Sequence, residues 1–285
     1  MKFILSRKGF DSKNGGYPSP ILPNGKMISL PIPADDRICY SDLQLKYDGY
    51  RTYCDLMKDL MPEIRSNKDK IKVDNFTTCH LDPDINGDAI ERADEWLPIF
   101  GQIDGAETVL ENKGITKNDI FLFFGTFKNT VLSNGKIIFD RSDTGKHIIF
   151  GYLQVGKIFR CDAGSNIEDW MEYHPHCDKE RRKIKNNTIY IAREKLSWSN
   201  ETAGAGTFNF HDSLVLTKKG LSKSRWNLDP AIFRGLDIGC HAEKSWKNGY
   251  FQSTPIGQEF VIEQNKAVEE YFKDLILNNI KKRSL

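Results

Sequence analysis

The stretches GITKNDIFLFFGTFK (114–128) and HIIFGYLQVGKIF (147–159) decide the fold of this chain. Each is an apolar run rich in aromatic and β-branched residues, the first introduced by a polar turn. The pair reads as two strands joined by a loop at 129–146, with Gly151 at the centre of the second. Outward from this pair, Lys2–Ser6, FTTCHLDPDI (76–85), Ile189–Ala192 and PIGQEFVI (255–262), which carries Gln258 and Glu259, read as further strands. NGKMISLPIP (24–33), with its two prolines, reads as an edge strand. Helical spacing predicts a helix near 50–60 with Ser41 placed to cap. It predicts a second through FGQIDGAETVLENKGI (100–115), with Asp104 at the N-cap, Ala106, Val109 and Leu110 inward, and Gly114 as the stop. The segment QNKAVEEYFKDLILNNIKKR (264–283) is an amphipathic helix with Val268, Phe272, Leu275, Ile276 and Ile280 on its packed side. Asn67–Asp74 reads as a charged connector and ETAGAGTF (201–208) as a flexible Gly-rich loop, a lid or a backbone-contacting turn. The expected class is α+β, one domain over 1–285 with a mixed, mostly antiparallel sheet.

Chemistry concentrates where strands end. After the first strand come Arg7, Lys8 and Asp11, then Ser12 and the pair Gly15-Gly16, so charged groups and permissive backbone share one strand tip. A solvated ion cluster is the competing reading. In CHLDPD (79–84), His80 and Asp82 share a strand face and Asp84 follows the Pro83 break, a plausible acid and base group. An Asx-type turn or a weak cation site would look the same. Gln102 precedes a helix start and can hydrogen-bond a base edge or orient a water. HPH brings His174 and His176 beside Cys177, without a second ligand pair at zinc-like spacing, so no metal and no cofactor is expected.

The composition excludes several classes. The chain has 285 residues, 39% hydrophobic, with no apolar run near the roughly 20 residues of a membrane span. Its opening is too short and too polar for a signal peptide. The six cysteines stand without CxxC pairs, which suits reduced thiols and a cytoplasmic setting. Net charge is only +2, yet KERRKIK (179–185), with Arg181, Arg182 and Lys183, and KKGLSKSR (218–225), with Lys218, Lys219 and Arg225, are locally basic. Such loops can grip a phosphate backbone, or can be ordinary solvated turns.

SRKGFDSKNGGYPSPILPNGKMISLPIP (6–33), CHLDPD, FGQIDGA (100–106), FLFFGTF (121–127), IIFGYLQVG (148–156) and HPH (174–176) together resemble the nucleotide-modification-associated domain of the third type. The resemblance implies bacterial and phage settings tied to hypermodified DNA bases and to defence against phages that carry them. It implies no particular reaction. Within it, residues 115–200 are similar to PUA-like barrels of the EVE and ASCH kind, which hold a nucleobase in an aromatic-lined pocket. Phe123, Phe124, Phe127 and Tyr152 would supply that lining. A plain core sheet with buried phenylalanines is the alternative.

The reaction these residues suggest is hydrolysis of the N-glycosidic bond of a modified base in DNA, because the chain has carboxylates and imidazoles but no P-loop and no dinucleotide fingerprint. Asp11, His80, Asp82 and Gln102 are the expected catalytic groups. Arg7, Lys8, Ser12, Asp84, Phe124, Tyr152, His174, His176 and Glu259 are expected to bind substrate, with the basic loops on DNA. A reader that binds modified DNA without chemistry and a transferase or hydrolase of mononucleotides are the alternatives.

Overall fold

The computed structural model describes every residue except Lys68, Ala242, 255–258 and 282–285. Gln258, expected in a strand, lies outside the described residues. The apolar runs form the two longest strands, Ile120–Ser133 and Lys146–Arg160, paired antiparallel with a register shift between Phe123 and Phe124. Phe3–Arg7 runs parallel to the first and antiparallel to Glu259–Ile262. Thr188–Ala192 pairs with the second and in turn with Ile99–Gln102. The spatial order is therefore 259–262, 3–7, 120–133, 146–160, 188–192, 99–102. The class is α+β with a mixed, mostly antiparallel sheet.

Over residues 120–125 both faces of the Ile120–Ser133 strand are covered, which is why the sequence there is uninterrupted rather than alternating. Phe121 and Phe123 meet Phe100 at 4.8 and 5.2 Å, while Phe124 meets Trp226 at 5.2 Å on the other side. All five are buried to 1% exposure or less. Each such side chain contributes about 1.5–3 kcal/mol. Bulges at Phe123/Phe124 and Val155/Lys157 add twist, and the sheet coils until its outermost strands approach. No backbone ladder joins those two strands among the described residues; a side-chain bond from Gln102 to Glu259 does. Gly151 is required for a close approach, since a Cβ there would lie 2.4 Å from Ile85 and 2.9 Å from the Gly206 carbonyl.

Several local expectations change. The Gly-rich 201–208 segment is not a free loop: Ala205–Thr207 pairs with Gly151–Leu153, and Ser199–Ala203 pairs with Lys195–Leu196. The charged connector is a hairpin of Glu63–Ser66 and Asp69–Lys72. Thr52, not Ser41, caps the helix Tyr53–Leu60, through a capping box with Asp55. Asp104 is the first residue of helix Asp104–Asn112 at φ +52°, and Ile103 occupies the cap position without a side-chain bond. On that helix Glu107 is buried and Val109 is 41% exposed, the reverse of the apolar expectation. The C-terminal helix Lys266–Lys281 packs as read, with Phe272 against Phe3 at 4.9 Å.

Candidate active site

One polar seam crosses the coiled end of the sheet. It starts at the strand Thr78–His80, where His80 Nδ1 lies 3.0 Å from Asp36 Oδ2, and Arg181 forks onto the same carboxylate at 2.6 and 3.2 Å. Burial opposes the Asp36 charge, but these two partners hold its carboxyl below the usual range. Two residues on, Asp82 Oδ1 accepts the Gly101 N–H at 2.7 Å and faces His174 Nε2 at 3.3 Å. Burial pushes Asp82 up; the His174 contact and the charges of Lys8, His176 and His174 outweigh it and draw its pKa far down.

His176 completes this end. Its Nδ1 lies 2.7 Å from Asn187 Oδ1, and Asn187 is fixed in that orientation because its amide nitrogen donates to the carbonyls of Cys161 and His176 at 2.9 Å. Burial, aided by the charges of His174 and His80, pushes His176 down to about 3, so the ring is neutral at neutral pH. The ring lies where a Cβ on residue 101 would stand, 2.3 Å away, which is why that position is glycine. His80, Asp82 and His176 each bring a metal-ligand type of atom within 4.8 Å of the other two.

Lys8 continues the seam. Its ammonium stands 4.2 Å above the Phe100 ring and 3.4 Å from Glu259 Oε1. The same oxygen takes bonds from Ser6 at 3.0 Å and Gln102 at 2.6 Å. Glu259 Oε2 is buried without a hydrogen-bond partner among the described residues. Burial raises the Glu259 pKa despite Lys8, Ser6 and Gln102. Beyond it, Glu107 accepts the Tyr190 hydroxyl at 3.0 and 3.1 Å, and burial pushes it up to about 7.

Of the residues singled out from sequence, the fold thus brings together Lys8, His80, Asp82, Gln102, His174, His176 and Glu259. Asp11 is placed differently: its Oδ1 accepts the Lys13 and Asn14 amides at 2.7 Å within its own turn. Ser12 is exposed, and its carbonyl accepts from Arg65. Arg7 donates to the Thr254 carbonyl at 3.0 Å and is half-buried beside Phe124. Asp84 is fully buried in a pair with Arg92 at 2.6 and 2.7 Å, beside the Tyr173 hydroxyl. Phe124 lies in the core, and Tyr152 stacks on Phe208 at 5.3 Å with its hydroxyl donating to the Ala203 carbonyl. Arg182 donates to carbonyls of Asp162, Ala163 and Ser165, while Lys183 pairs with Glu180. Lys219 and Arg225 are exposed.

Two cavities stand out among the described residues, and the first borders the seam at Asp82. One of about 60 Å³ borders Asp82, Pro83, Tyr53 and Phe150, room for a few waters. Another of about 540 Å³ is lined by Lys218, Arg234, Trp246, Lys247 and Tyr250. Asp36, Gly101, Glu107 and Asn187 were not singled out from sequence. Glu107 carried a signal, one turn before Leu110 on the inward face; Asn187 carried none.

The family model for nucleotide modification associated domain 3 matches residues 2–263. The chain belongs to that family. The match takes in the whole seam, from Lys8 to Glu259, so the nucleotide modification associated domain 3 is the frame in which its chemistry is read. It also ties the chain to nucleotide modification. No curated protein and no solved structure matches the chain. No helix among the described residues is long and apolar enough to cross a membrane.

Proposed function

We propose that this nucleotide modification associated domain 3 protein hydrolyses the N-glycosidic bond of a modified base in DNA, in defence against phages whose genomes carry such bases. The observation that carries the reading is one seam holding two carboxyls driven in opposite directions, Asp82 downward and Glu259 upward. Sites that need a charged stabiliser and a proton donor together separate their carboxyl pKa values in this way. In the proposed reaction a water gathered at His80, Asp82 and His176 attacks C1′ of the nucleotide. The glycosidic electron pair leaves with the base, which takes a proton from Glu259. The water's hydroxyl ends on C1′, and its proton replaces the one that Glu259 gave up. The negative charge of Asp82 favours the positive charge that builds on the sugar. Gln102 and Ser6 orient Glu259, and the carboxylate role first given to Asp11 passes to Asp82.

The base reaches the seam after flipping from the helix, at a cost of about a few kcal/mol met by protein contacts. Approach is from the side of His80, whose side chain at 16% is the most exposed of the His80, Asp82 and His176 group. The wider groove, with Lys218 and Lys247 beside Trp246 and Tyr250, combines phosphate-neutralising charge with stacking surface. That groove also favours the second reading, a binder of modified DNA without chemistry. Six free cysteines support action in a reducing cytoplasm. The deciding experiment incubates the protein with genomic DNA from phages of different base chemistry and measures abasic sites and liberated base. Release by wild type and not by Asp82→Asn supports the enzyme; a gel shift without abasic sites supports the reader.

A further inference from the structure

We infer that His80, Asp82 and His176 bind one divalent first-row transition metal ion, with at least one coordination position left open. Ligand atoms around a single ion at about 2.1 Å stand no more than about 4.2 Å apart. The three groups offer theirs within 4.8 Å of one another, so small side-chain rotations close the set.

What surrounds the triad is organised as metal sites are. Ligating imidazoles present one nitrogen to the ion and anchor the other on a carboxylate or carbonyl. His80 Nδ1 is anchored on Asp36, itself held by Arg181, and His176 Nδ1 on the Asn187 side-chain carbonyl. In both rings the anchored nitrogen carries the proton, which leaves a lone pair on Nε2. Asp82 Oδ1 is held by the Gly101 amide, so Oδ2 is the oxygen that remains. His174 plays another part. Its Nδ1 accepts the His176 amide, so in the neutral ring Nε2 bears the proton and faces Asp82 Oδ1 at 3.3 Å. That nitrogen is fully buried with no hydrogen bond in this arrangement, and a rotation of Asp82 onto an ion would let it find one.

Two neutral imidazoles and one carboxylate leave a divalent ion with net positive charge and room for water, the donor count of catalytic rather than structural sites. Such an ion lowers the pKa of its water towards 7. On the function proposed above, on which this role rests, that water is the one delivered to C1′, and Asp82 then acts as a ligand of the ion in place of facing the sugar as a free charge.

The test uses the full-length protein stripped with chelator and dialysed, titrated with Zn²⁺ by calorimetry, with metal content by mass spectrometry and Co²⁺ absorption as a second readout. Wild type is expected to bind one equivalent and to give a Co²⁺ visible spectrum. His176→Ala and Asp82→Ala are expected to weaken binding at least 100-fold, and His211→Ala to leave it unchanged. Should a buried variant unfold by circular dichroism, His80→Ala, at the most exposed ligand, decides in its place. Asn187→Ala is expected to weaken binding 10- to 100-fold. Sub-stoichiometric Zn²⁺ in wild type, or equal affinity in the ligand variants, overturns the site. Binding is read without DNA, so absence of base release leaves this inference standing. Base release at full rate in chelator removes the catalytic role and leaves the proposed function standing.

Discussion

Gln102 Nε2 donates to Glu259 Oε1 at 2.6 Å, joining the two outermost strands of the sheet through one buried side-chain bond. The bond favours the charged form of Glu259 against burial. If Glu259 must be protonated to act, activity falls on the alkaline side as that proton is lost. Gln102→Leu removes a stabiliser of the anion, so the alkaline limb of the rate profile moves to higher pH. Glu259→Gln is expected to lower base release by about 10²- to 10⁴-fold, the range for loss of a general acid, with circular dichroism unchanged. A pH–rate profile of both variants checks this, and an unmoved limb in Gln102→Leu excludes Glu259 as the acid.

Glu107 gives a stability signature of its own. Burial raises its pKa from 4.5 to about 7, so the folded protein binds a proton more tightly than the unfolded chain. Its contribution is fully present below pH 4.5 and is lost as pH rises through about 7. The difference amounts to about 3 kcal/mol across that window. Glu107→Gln, which still accepts the Tyr190 hydroxyl, should be more stable than wild type at pH 8 and similar at pH 4.5. Urea unfolding at the two pH values measures it.

Asp84 and Arg92 form a closed pair remote from exchange with solvent, side chains 0% and 11% exposed. Arg92→Met leaves a buried carboxylate with the Tyr173 hydroxyl as its remaining side-chain partner, and should cost about 3–5 kcal/mol. Denaturant unfolding at constant m-value is the measurement; a loss below about 1 kcal/mol would show that the Arg92 pair is not what holds this part of the core together.

The class and the strands around Phe121–Phe124 were legible in sequence because apolar runs and helical spacing are local. His80, Asp82, Gln102 and Glu259 were legible as candidates because each lies at or just beyond a strand end. Their convergence was not, since it depends on the coiling that brings residues 102 and 259 together across the sheet. The same limit applies to Asp11. Its spacing from Lys8 suggested shared chemistry, yet the turn through Gly15 and Gly16 folds the Asp11 carboxylate onto the Lys13 and Asn14 amides. The place of Arg181 was not legible either, because it is drawn inward by Asp36, a partner 145 residues away.

Gly101 tests whether the histidine geometry is specified by backbone. A Cβ at this position would stand 2.3 Å from two His176 ring atoms, and the Gly101 amide also holds Asp82. Gly101→Ala must displace the ring or the strand, and overpacking of this kind costs about 1–3 kcal/mol. Gly105, four residues on, has nothing within 4 Å of its Cβ site and lies inside a helix, where alanine gains about 0.5–1 kcal/mol. The expected pair of outcomes is a lowered melting temperature with Zn²⁺ affinity and base release both reduced at least tenfold in Gly101→Ala, and an unchanged or raised melting temperature with full function in Gly105→Ala. Equal behaviour of the two variants would mean that His176 has a second position in which it serves equally well, and the register between residues 101 and 176 would no longer define the site.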